Sequence, residues 1–158
     1  MKIGIRVCLT IATLILTNCS TSSLKILKTY DGDTMTLLQG SDKIKVRYYC
    51  IDTPEMKQGD WGKRSRDYLR KLAPNDSVVT LEIKDTDRYG RKVSIVNLNG
   101  KNLNLEMVKA GMAAVYPQYC KDSDYFEAQD YAKRKRLGIW KTNGLHQRPW
   151  VYRKSKRK

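Results

Sequence analysis

Two aspartates and one threonine could hold a divalent cation. Asp33 lies in D-G-D-T (31–34), and Asp52 and Thr53 lie in V-R-Y-Y-C-I-D-T-P-E (46–55). Carboxylate and backbone carbonyl oxygens are hard ligands, which suit Ca²⁺ or Mg²⁺ and do not suit zinc. Two carboxylates and the carbonyl of Thr53 form a partial cage, so water and a substrate phosphate would complete the coordination.

A third carboxylate and two arginines could act on a phosphodiester beside such a cation. Glu55 follows Asp52 by three residues, beyond Pro54, which stiffens the loop, and it could accept a proton from water. Arg47 and Arg91 belong to different segments, and guanidinium groups can stabilise the charge that grows on a five-coordinate phosphorus. Cation, base and arginines together would suffice for phosphodiester hydrolysis.

Each of these segments also has an ordinary structural interpretation. D-G-D-T is typical of a turn, D-T-P-E of a capped loop, and D-R-Y-G-R (87–91) of a hairpin. The functional interpretation depends on all three occurring in this order, each at the edge of a predicted strand.

Periodicity predicts five strands and three helices. The strands are expected at 24–30, 34–39, 44–51, 78–84 and 92–99, and the helices after Gly62, after Gly100 and from Asp122 to Gly138. The unbroken apolar and aromatic character of the third strand predicts burial on both faces, and the tail from Trp140 is expected to be irregular. Five short strands with a helix after the third are typical of an α+β fold built on an oligonucleotide-binding (OB) type β-barrel.

The balance of charge favours a polyanionic partner. The chain has 158 residues, with 31 Lys and Arg against 16 Asp and Glu, a formal net charge of +15. This suits nucleic acid, although a basic protein without such a partner is the alternative. A mean hydropathy of −0.61 argues against an integral membrane protein. The only histidine, His146, lies in a Pro- and Arg-rich tail, which argues against histidine-based nucleophilic mechanisms and a zinc site.

Residues 1–19 are predicted to be a signal peptide. Two basic residues precede the apolar run 7–17, which is too short to span a bilayer as a mature helix. L-T-N-C partly resembles a bacterial lipobox, so Cys19 is either an acylated first residue or part of an ordinary leader; an uncleaved apolar segment is the alternative. We expect export to the periplasm, to the medium or as a membrane-anchored lipoprotein, with one folded domain at 20–145 and a basic tail at 146–158.

Two cysteines remain after the leader. Cys8 and Cys19 belong to the predicted signal, which leaves Cys50 and Cys120. In an oxidising compartment this even pair could form a disulfide, and the alternative is two small buried hydrophobic residues.

These segments resemble the staphylococcal (micrococcal) nuclease family, also called thermonuclease, from about Leu24 to Trp140. The resemblance depends on D-G-D-T, on the five-residue spacing from Arg47 to Asp52, and on D-R-Y-G-R. It extends through L-E-M-V-K-A-G-M-A (105–113) and A-K-R-K-R-L-G-I-W (132–140). It implies a five-stranded OB-type barrel with three helices, and a Ca²⁺-dependent endonuclease or exonuclease that acts on DNA and RNA and leaves 3′-phosphates.

The resemblance also implies roles for individual residues. One Ca²⁺ per chain would be held by Asp33, Asp52 and the carbonyl of Thr53, and the catalytic set would be Arg47, Glu55 and Arg91. Glu55 would act as general base, or would orient water or bind phosphate. Arg88 and Tyr89 would contact the terminal phosphate and sugar, with hairpin packing as the alternative for Tyr89, and Tyr116 and Tyr119 are candidates to stack near the nucleotide.

Two other functions remain open at this stage. One is an OB-fold module that binds nucleic acid without cutting it, and the other is an envelope lipoprotein whose charge binds anionic lipid or polymer. The retained set of catalytic side chains favours the enzyme. We expect a monomer without an obligate protein partner, and the basic end R-K-S-K-R-K (153–158) is expected to be solvated or to add phosphate contacts.

Overall fold

The fold combines a β-barrel with four α-helices. A computed structural model describes residues 23–157; the predicted signal peptide, with Cys8 and Cys19, lies outside the described residues. The strands are β1 (Leu24–Thr29), β2 (Thr34–Gln39), β3 (Asp42–Tyr48), β4 (Ile51–Asp52), β5 (Val78–Thr86), β6 (Lys92–Leu98), β7 (Lys101–Asn102) and β8 (Ala114–Val115). The helices are α1 (Asp60–Leu72), α2 (Leu103–Lys109), α3 (Ser123–Arg134) and α4 (Pro149–Ser155).

Five strands close into the barrel. They are paired in the order β3-β2-β1-β5-β6, and a parallel pairing of β3 with β6, in which Arg47 lies opposite Val93, closes the ring. The two-residue strand β7 extends β6, and β4 pairs with β8 in a separate small sheet. Closure removes the open sheet edges. The predicted α+β fold with a five-stranded OB-type barrel is therefore confirmed.

Alternation of side chains explains how β3 fits the barrel wall. Val46 and Tyr48 are buried in the core, whereas Lys43 is exposed and Lys45 lies on the same outer side. Successive side chains of a strand point to opposite faces, so only one face of β3 is covered. The prediction that this segment is buried on both faces was wrong, because Lys43 and Lys45 alternate with the buried residues and face outward. The strand also ends at Tyr48 and does not continue to Ile51.

The first three helices form close to where the sequence predicts them. Helix α1 begins at Asp60, slightly earlier than expected, and ends at Leu72. The Asn102 side chain caps α2 by accepting from the backbone N–H of Leu105, and Asp122 caps α3 by accepting from that of Asp124. These caps satisfy backbone donors that have no partner within the helix.

The chain after Trp140 is not irregular, which corrects the prediction for the tail. Two short 3₁₀ helices, Gly138–Lys141 and Leu145–Gln147, lead into α4, which has Pro149 at its first position. The count of three helices is therefore corrected to four. Periodicity missed α4 because its seven residues, P-W-V-Y-R-K-S, form only two turns, which is too short a window to show a helical period. Within residues 23–157, none of the helices is long and apolar enough to cross a bilayer.

Aromatic stacking attaches this C-terminal segment to the rest of the fold. The Trp150 ring stacks on Tyr116, with centroids 5.0 Å apart and planes 8° apart. His146 stacks on Trp61 of α1 at 4.5 Å, and its Nε2 lies 3.0 Å from the carbonyl oxygen of Ile139. His146 is thus a packed residue, in keeping with its exclusion as a catalytic group.

A disulfide joins Cys50 and Cys120, whose Cα atoms are 4.5 Å apart. Of the two alternatives left open by the sequence, the structure has the bridge. Cys50 has a positive φ of 68° in the short connection between β3 and β4, and its carbonyl accepts from the backbone N–H of Tyr116. The bridge therefore holds the turn that precedes Asp52.

Loss of this bridge should destabilise the protein strongly. It closes a segment with a sequence separation of 70, for which the loss of chain entropy in the unfolded state corresponds to about 4 kcal/mol. Cys50→Ser/Cys120→Ser in the mature chain is expected to lower the free energy of unfolding by about 2–4 kcal/mol, measured by chemical denaturation. Reductant should destabilise the wild type to a similar degree and leave the variant unchanged; equal wild-type stability with and without reductant would contradict the bridge.

Candidate active site

One guanidinium group joins the two aspartates that the sequence predicts as metal ligands. Arg47 lies at the end of β3, opposite Thr34 of β2, so its side chain reaches the turn between β1 and β2. Its Nη1 donates to Oδ1 of Asp33, and its Nη2 donates to Oδ1 of Asp52 at 2.5 Å. Both carboxylates are fully buried. The β2–β3 hairpin and the turn after β3 thus bring together two aspartates that are 19 positions apart in the sequence.

Thr53 lies against the same aspartate. The second oxygen of Asp33, Oδ2, accepts from the backbone N–H of Thr53 and from its Oγ1, both at 2.8 Å. These bonds attach the loop after β4 to the turn before β2. The three predicted metal ligands therefore form one cluster at the rim of the barrel.

Buried negative charge is concentrated in this cluster. Burial, together with the charge of Asp33, raises the pKa of Asp31 to about 7. Burial and the charge of Asp33 also raise the pKa of Asp52, against the opposing effect of Arg47 and Arg153. Asp31, the first residue of D-G-D-T, is not among the predicted site residues. Its Oδ1 accepts from the backbone N–H of Asp33 at 3.0 Å, which helps to fix the turn.

The donor set fits a hard divalent cation. Two buried carboxylates that repel each other would both be stabilised by such an ion, and a backbone carbonyl at Thr53 would add a third hard oxygen. Among residues 23–157 there is no cluster of three or more His, Cys, Asp or Glu side chains arranged to hold a metal. An ion held by two acidic side chains and one carbonyl needs further oxygens from outside the protein.

Helix α1 packs directly on the loops that carry these residues. A Cβ at Gly32 would lie 2.0 Å from Oγ of Ser65, and a Cβ at Gly62 would lie 2.3 Å from the carbonyl oxygen of Glu55. Both distances are far below van der Waals contact, so only glycine allows the close approach. Ser65 also donates to the carbonyl oxygen of Met112. The glycine of D-G-D-T thus serves helix packing as well as the turn.

Arg153 of α4 contacts both Glu55 and Asp52. Its Nη1 donates to Oε1 of Glu55 at 2.7 Å and to Oδ1 of Asp52 at 3.0 Å, and its Nη2 donates to Oδ2 of Asp52 at 2.9 Å. Arg153 belongs to the basic run that the sequence predicts as a tail, so this contact was not predicted. No local signal separates it from its neighbours Lys154 and Lys156, because only folding of α4 against the loop distinguishes them.

Arg91 is held by Asp87 within the loop between β5 and β6. The backbone N–H, Nε and Nη2 of Arg91 all bond to the Asp87 carboxylate, at 3.0, 2.7 and 2.7 Å. Partial burial would raise the pKa of Asp87, but these bonds and one from Tyr89 lower it overall. Arg91 comes directly before β6, two positions before Val93, the residue that pairs with Arg47 of β3.

The four predicted substrate residues fall into two pairs. Arg88 donates to the hydroxyl of Tyr89 at 2.8 Å, and Tyr89 is 67% exposed, so its ring does not pack into the hairpin. Tyr119 is also exposed and meets Tyr116 edge-on at 4.8 Å. One face of Tyr116 is covered by Trp150, which leaves less of this ring free to stack on a base.

The cluster combines groups that can bind a cation, bind an anion and transfer a proton. Glu55 is the most exposed of the three carboxylates, with 37% of its side chain accessible, whereas Asp33 and Asp52 are 1% and 0% accessible. A water molecule can therefore reach Glu55. The four oxygens of the two aspartates all accept from Arg47, Thr53 or Arg153, so a cation that binds here has to displace some of these donors. Arg47, between the aspartates, can reach an anion that enters from solvent.

Comparisons with known proteins agree with this geometry. The family model described as staphylococcal nuclease homologue matches residues 45–142. An uncharacterized endonuclease of Haemophilus influenzae is 41% identical over 132 residues, covering 82% of this chain and 73% of its own length. A micrococcal nuclease of Shigella flexneri is 34% identical over 142 residues, covering 83% and 80%. An uncharacterized endonuclease of Escherichia coli O157:H7 is 33% identical over 139 residues, covering 87% and 89%. The barrel, the cluster at its rim and these similarities together show that the chain belongs to the staphylococcal nuclease homologue family.

Proposed function

We propose that the protein is a Ca²⁺-dependent nuclease that hydrolyses phosphodiesters of DNA and RNA and leaves 3′-phosphates. The observation that carries this proposal is the single guanidinium of Arg47 lying across Asp33 and Asp52, beside the accessible carboxylate of Glu55. Membership of the family and a formal net charge of +15 support nucleic acid as the substrate.

Asp33, Asp52 and the carbonyl of Thr53 are the groups that would hold the cation. When bound, Ca²⁺ would supply positive charge beside the reacting phosphate and a place for water. Glu55 accepts a proton from the attacking water, or orients that water. The new bond joins the water oxygen to phosphorus, the bond from phosphorus to O5′ breaks, and a proton passes to O5′. The product therefore carries a 3′-phosphate and a free 5′-hydroxyl.

The two predicted catalytic arginines bind the phosphate. Without substrate, Arg47 is paired with two aspartates and Arg91 with Asp87. A phosphodiester entering beside Glu55 offers two non-bridging oxygens, which can accept from these guanidinium groups once they exchange aspartate partners for the phosphate. These contacts strengthen as charge develops on the equatorial oxygens, so they act mainly on the transition state.

Arg88 and Tyr89 are suited to contact the nucleotide beyond the reacting phosphate. Both are exposed on the loop that carries Arg91, and the guanidinium carbon of Arg88 lies 4.9 Å from the centroid of the Tyr89 ring. A cation beside an exposed aromatic ring can bind a phosphate and stack on a base or sugar. Tyr116 and Tyr119 remain candidates for the same role on the other side of the site.

The proposed activity can be tested with the purified mature chain, plasmid DNA and RNA. Cleavage is expected with Ca²⁺ and should be lost in excess chelator, with 3′-phosphate ends identified by mass spectrometry of the products. Glu55→Gln keeps the size of the side chain but cannot accept the proton, so it should lower kcat by about 10²–10⁴. Undiminished cutting in chelator would contradict the metal assignment, whereas binding without any cutting would identify a non-catalytic nucleic-acid-binding protein.

Asp87 is expected to act as a positioning residue for Arg91. Asp87→Ala frees the guanidinium and should lower kcat/KM roughly 10- to 100-fold, because misplacement of about 1 Å has effects of this size. The matched control Asp85→Ala removes an exposed acid on the same hairpin and should have little effect. Adding Asp87→Ala to Arg91→Ala should cause no further loss, since both changes remove the same function. An additional independent loss in the double variant would show that Asp87 does not act through Arg91.

We also propose that the protein is exported, with Cys19 as a lipid-modified first residue or with cleavage nearby. The basic start, the apolar run 7–17 and L-T-N-C support this, and the disulfide suits an oxidising compartment. Mass spectrometry of the protein from envelope and medium fractions should find a chain that begins at or near residue 19. A lipid mass at Cys19, lost in Cys19→Ser, would identify the tethered form; a cytoplasmic chain that retains residues 1–18 would contradict export.

A further inference from the structure

The C-terminal helix forms one wall of an open cleft beside Glu55. The cleft has a volume of about 600 Å³. Glu55 and Lys57 line one side, and Tyr152, Lys156 and Arg157 line the other. This volume is within the range of pockets that hold ligands of the size of a nucleotide. We call it the α4 cleft.

Helical geometry places the basic and aromatic residues of this wall on one face. Positions 152, 153, 156 and 157 are spaced so that they share one side of a helix. The backbone N–H of Lys156 bonds to the carbonyl of Tyr152, and that of Arg157 to the carbonyl of Lys154, so helical turns continue past Ser155. The side chains of this face therefore line the cleft together.

Three contacts fix the wall to the candidate active site. Arg153 bonds to both Asp52 and Glu55, and the hydroxyl of Tyr152 donates to the carbonyl oxygen of Lys57 at 3.2 Å. Trp150, at the other end of α4, stacks on Tyr116. Helix α4 is therefore part of the site, because Arg153 pairs with the carboxylates of Asp52 and Glu55. About one hundred residues separate Arg153 in sequence from the loop that carries Glu55.

The cleft has an excess of positive charge. Glu55 is its one acidic lining residue, and Arg153 already neutralises it. Lys57, Lys156 and Arg157 also line the cleft, and in the part of the chain that the structure describes none of them forms a salt bridge. The Lys156 ammonium lies 5.7 Å from the centroid of the Tyr152 ring. Free cations beside an aromatic ring are the combination that binds single-stranded nucleic acid.

We propose that the α4 cleft binds a nucleotide of a single-stranded substrate next to the phosphate that is cut. Tyr152 stacks on an unpaired base, and Lys156 and Arg157 contact backbone phosphates. This inference deepens the proposed nuclease function and rests on it for the position of the reacting phosphate. It also gives the basic end of the chain a specific role, as a nucleic-acid contact next to Glu55.

The test measures binding and cleavage separately. A fluorescein-labelled single-stranded DNA oligonucleotide is titrated with the full mature chain in chelator, and fluorescence anisotropy is read at several salt concentrations. Lys156→Ala/Arg157→Ala should raise Kd about tenfold at low salt. It should also reduce the slope of log Kd against log salt by about 1.4, the value for two phosphate contacts on a single strand. With Ca²⁺, the same variant should show a raised KM and a nearly unchanged kcat.

A matched variant controls for loss of charge. Arg134→Ala/Lys135→Ala removes two exposed cations at the end of α3 that do not line the cleft, so Kd should change less than twofold after allowance for salt. Tyr152→Leu should weaken binding up to about tenfold without changing the salt slope. Tyr152→Phe keeps the ring and loses only the hydrogen bond to Lys57, so it should weaken binding less than Tyr152→Leu. Thermal denaturation of each variant confirms that it is folded.

Several results would overturn either this proposal or the nuclease function on which it rests. If the α3 and α4 double variants lost binding affinity equally, the loss would be explained by the lower net charge and not by the α4 cleft. Tighter binding or faster cutting in Lys156→Ala/Arg157→Ala would show that α4 covers the site and does not bind the strand. If the protein cuts normally and no α4 variant changes binding or cleavage, the proposal for the α4 cleft is refuted and the proposed nuclease function stands. Binding that depends on Lys156 and Arg157, without cleavage in Ca²⁺, would refute the proposed nuclease function and leave the cleft standing.

Discussion

The attraction between Arg47 and two buried aspartates is the interaction on which the site depends. Two carboxylates without water around them repel each other and would be unstable without a positive partner. Arg47 provides that charge from strand β3 of the barrel wall. Asp33 also accepts hydrogen bonds from Thr53 and so holds the loop that follows β4. In the proposed function, cation and substrate enter this arrangement, so the same charges that hold the folded loops together would also bind the reactants.

Elements far apart in the sequence hold this cluster in place. The disulfide fixes the turn before Asp52, and α1 approaches the loops closely enough to exclude any side chain at Gly32 and Gly62. Helix α4 then reaches Glu55 from the end of the chain. An enzyme that must keep a carboxylate accessible to water cannot bury it for support. The Arg153 side chain bonds to one oxygen of Glu55, which positions the carboxylate while 37% of the Glu55 side chain stays accessible.

The sequence predicted most of the barrel because its strands are local patterns. Alternation and turn residues placed all five barrel strands within a few positions, and cap residues such as Asp122 marked a helix start. Prediction failed where a pattern had two interpretations. The aromatic run at 46–51 reads as one buried strand, but a positive φ at Cys50 breaks it in two. The basic run at the end reads as a tail, yet stacking of Trp150 on Tyr116 orders it into a helix.

The sequence by itself determined the family resemblance and the residue types of the site, because the three polar segments and their spacing are local features. It also predicted Asp33, Asp52, Thr53, Arg47, Glu55 and Arg91 as one functional set. Only the tertiary structure decided that Cys50 is bridged to Cys120, that Asp87 holds Arg91 and that Arg153 lies on Glu55 and Asp52. These pairings depend on distances across the barrel rim, and a charge in the sequence does not indicate which of many opposite charges it will meet.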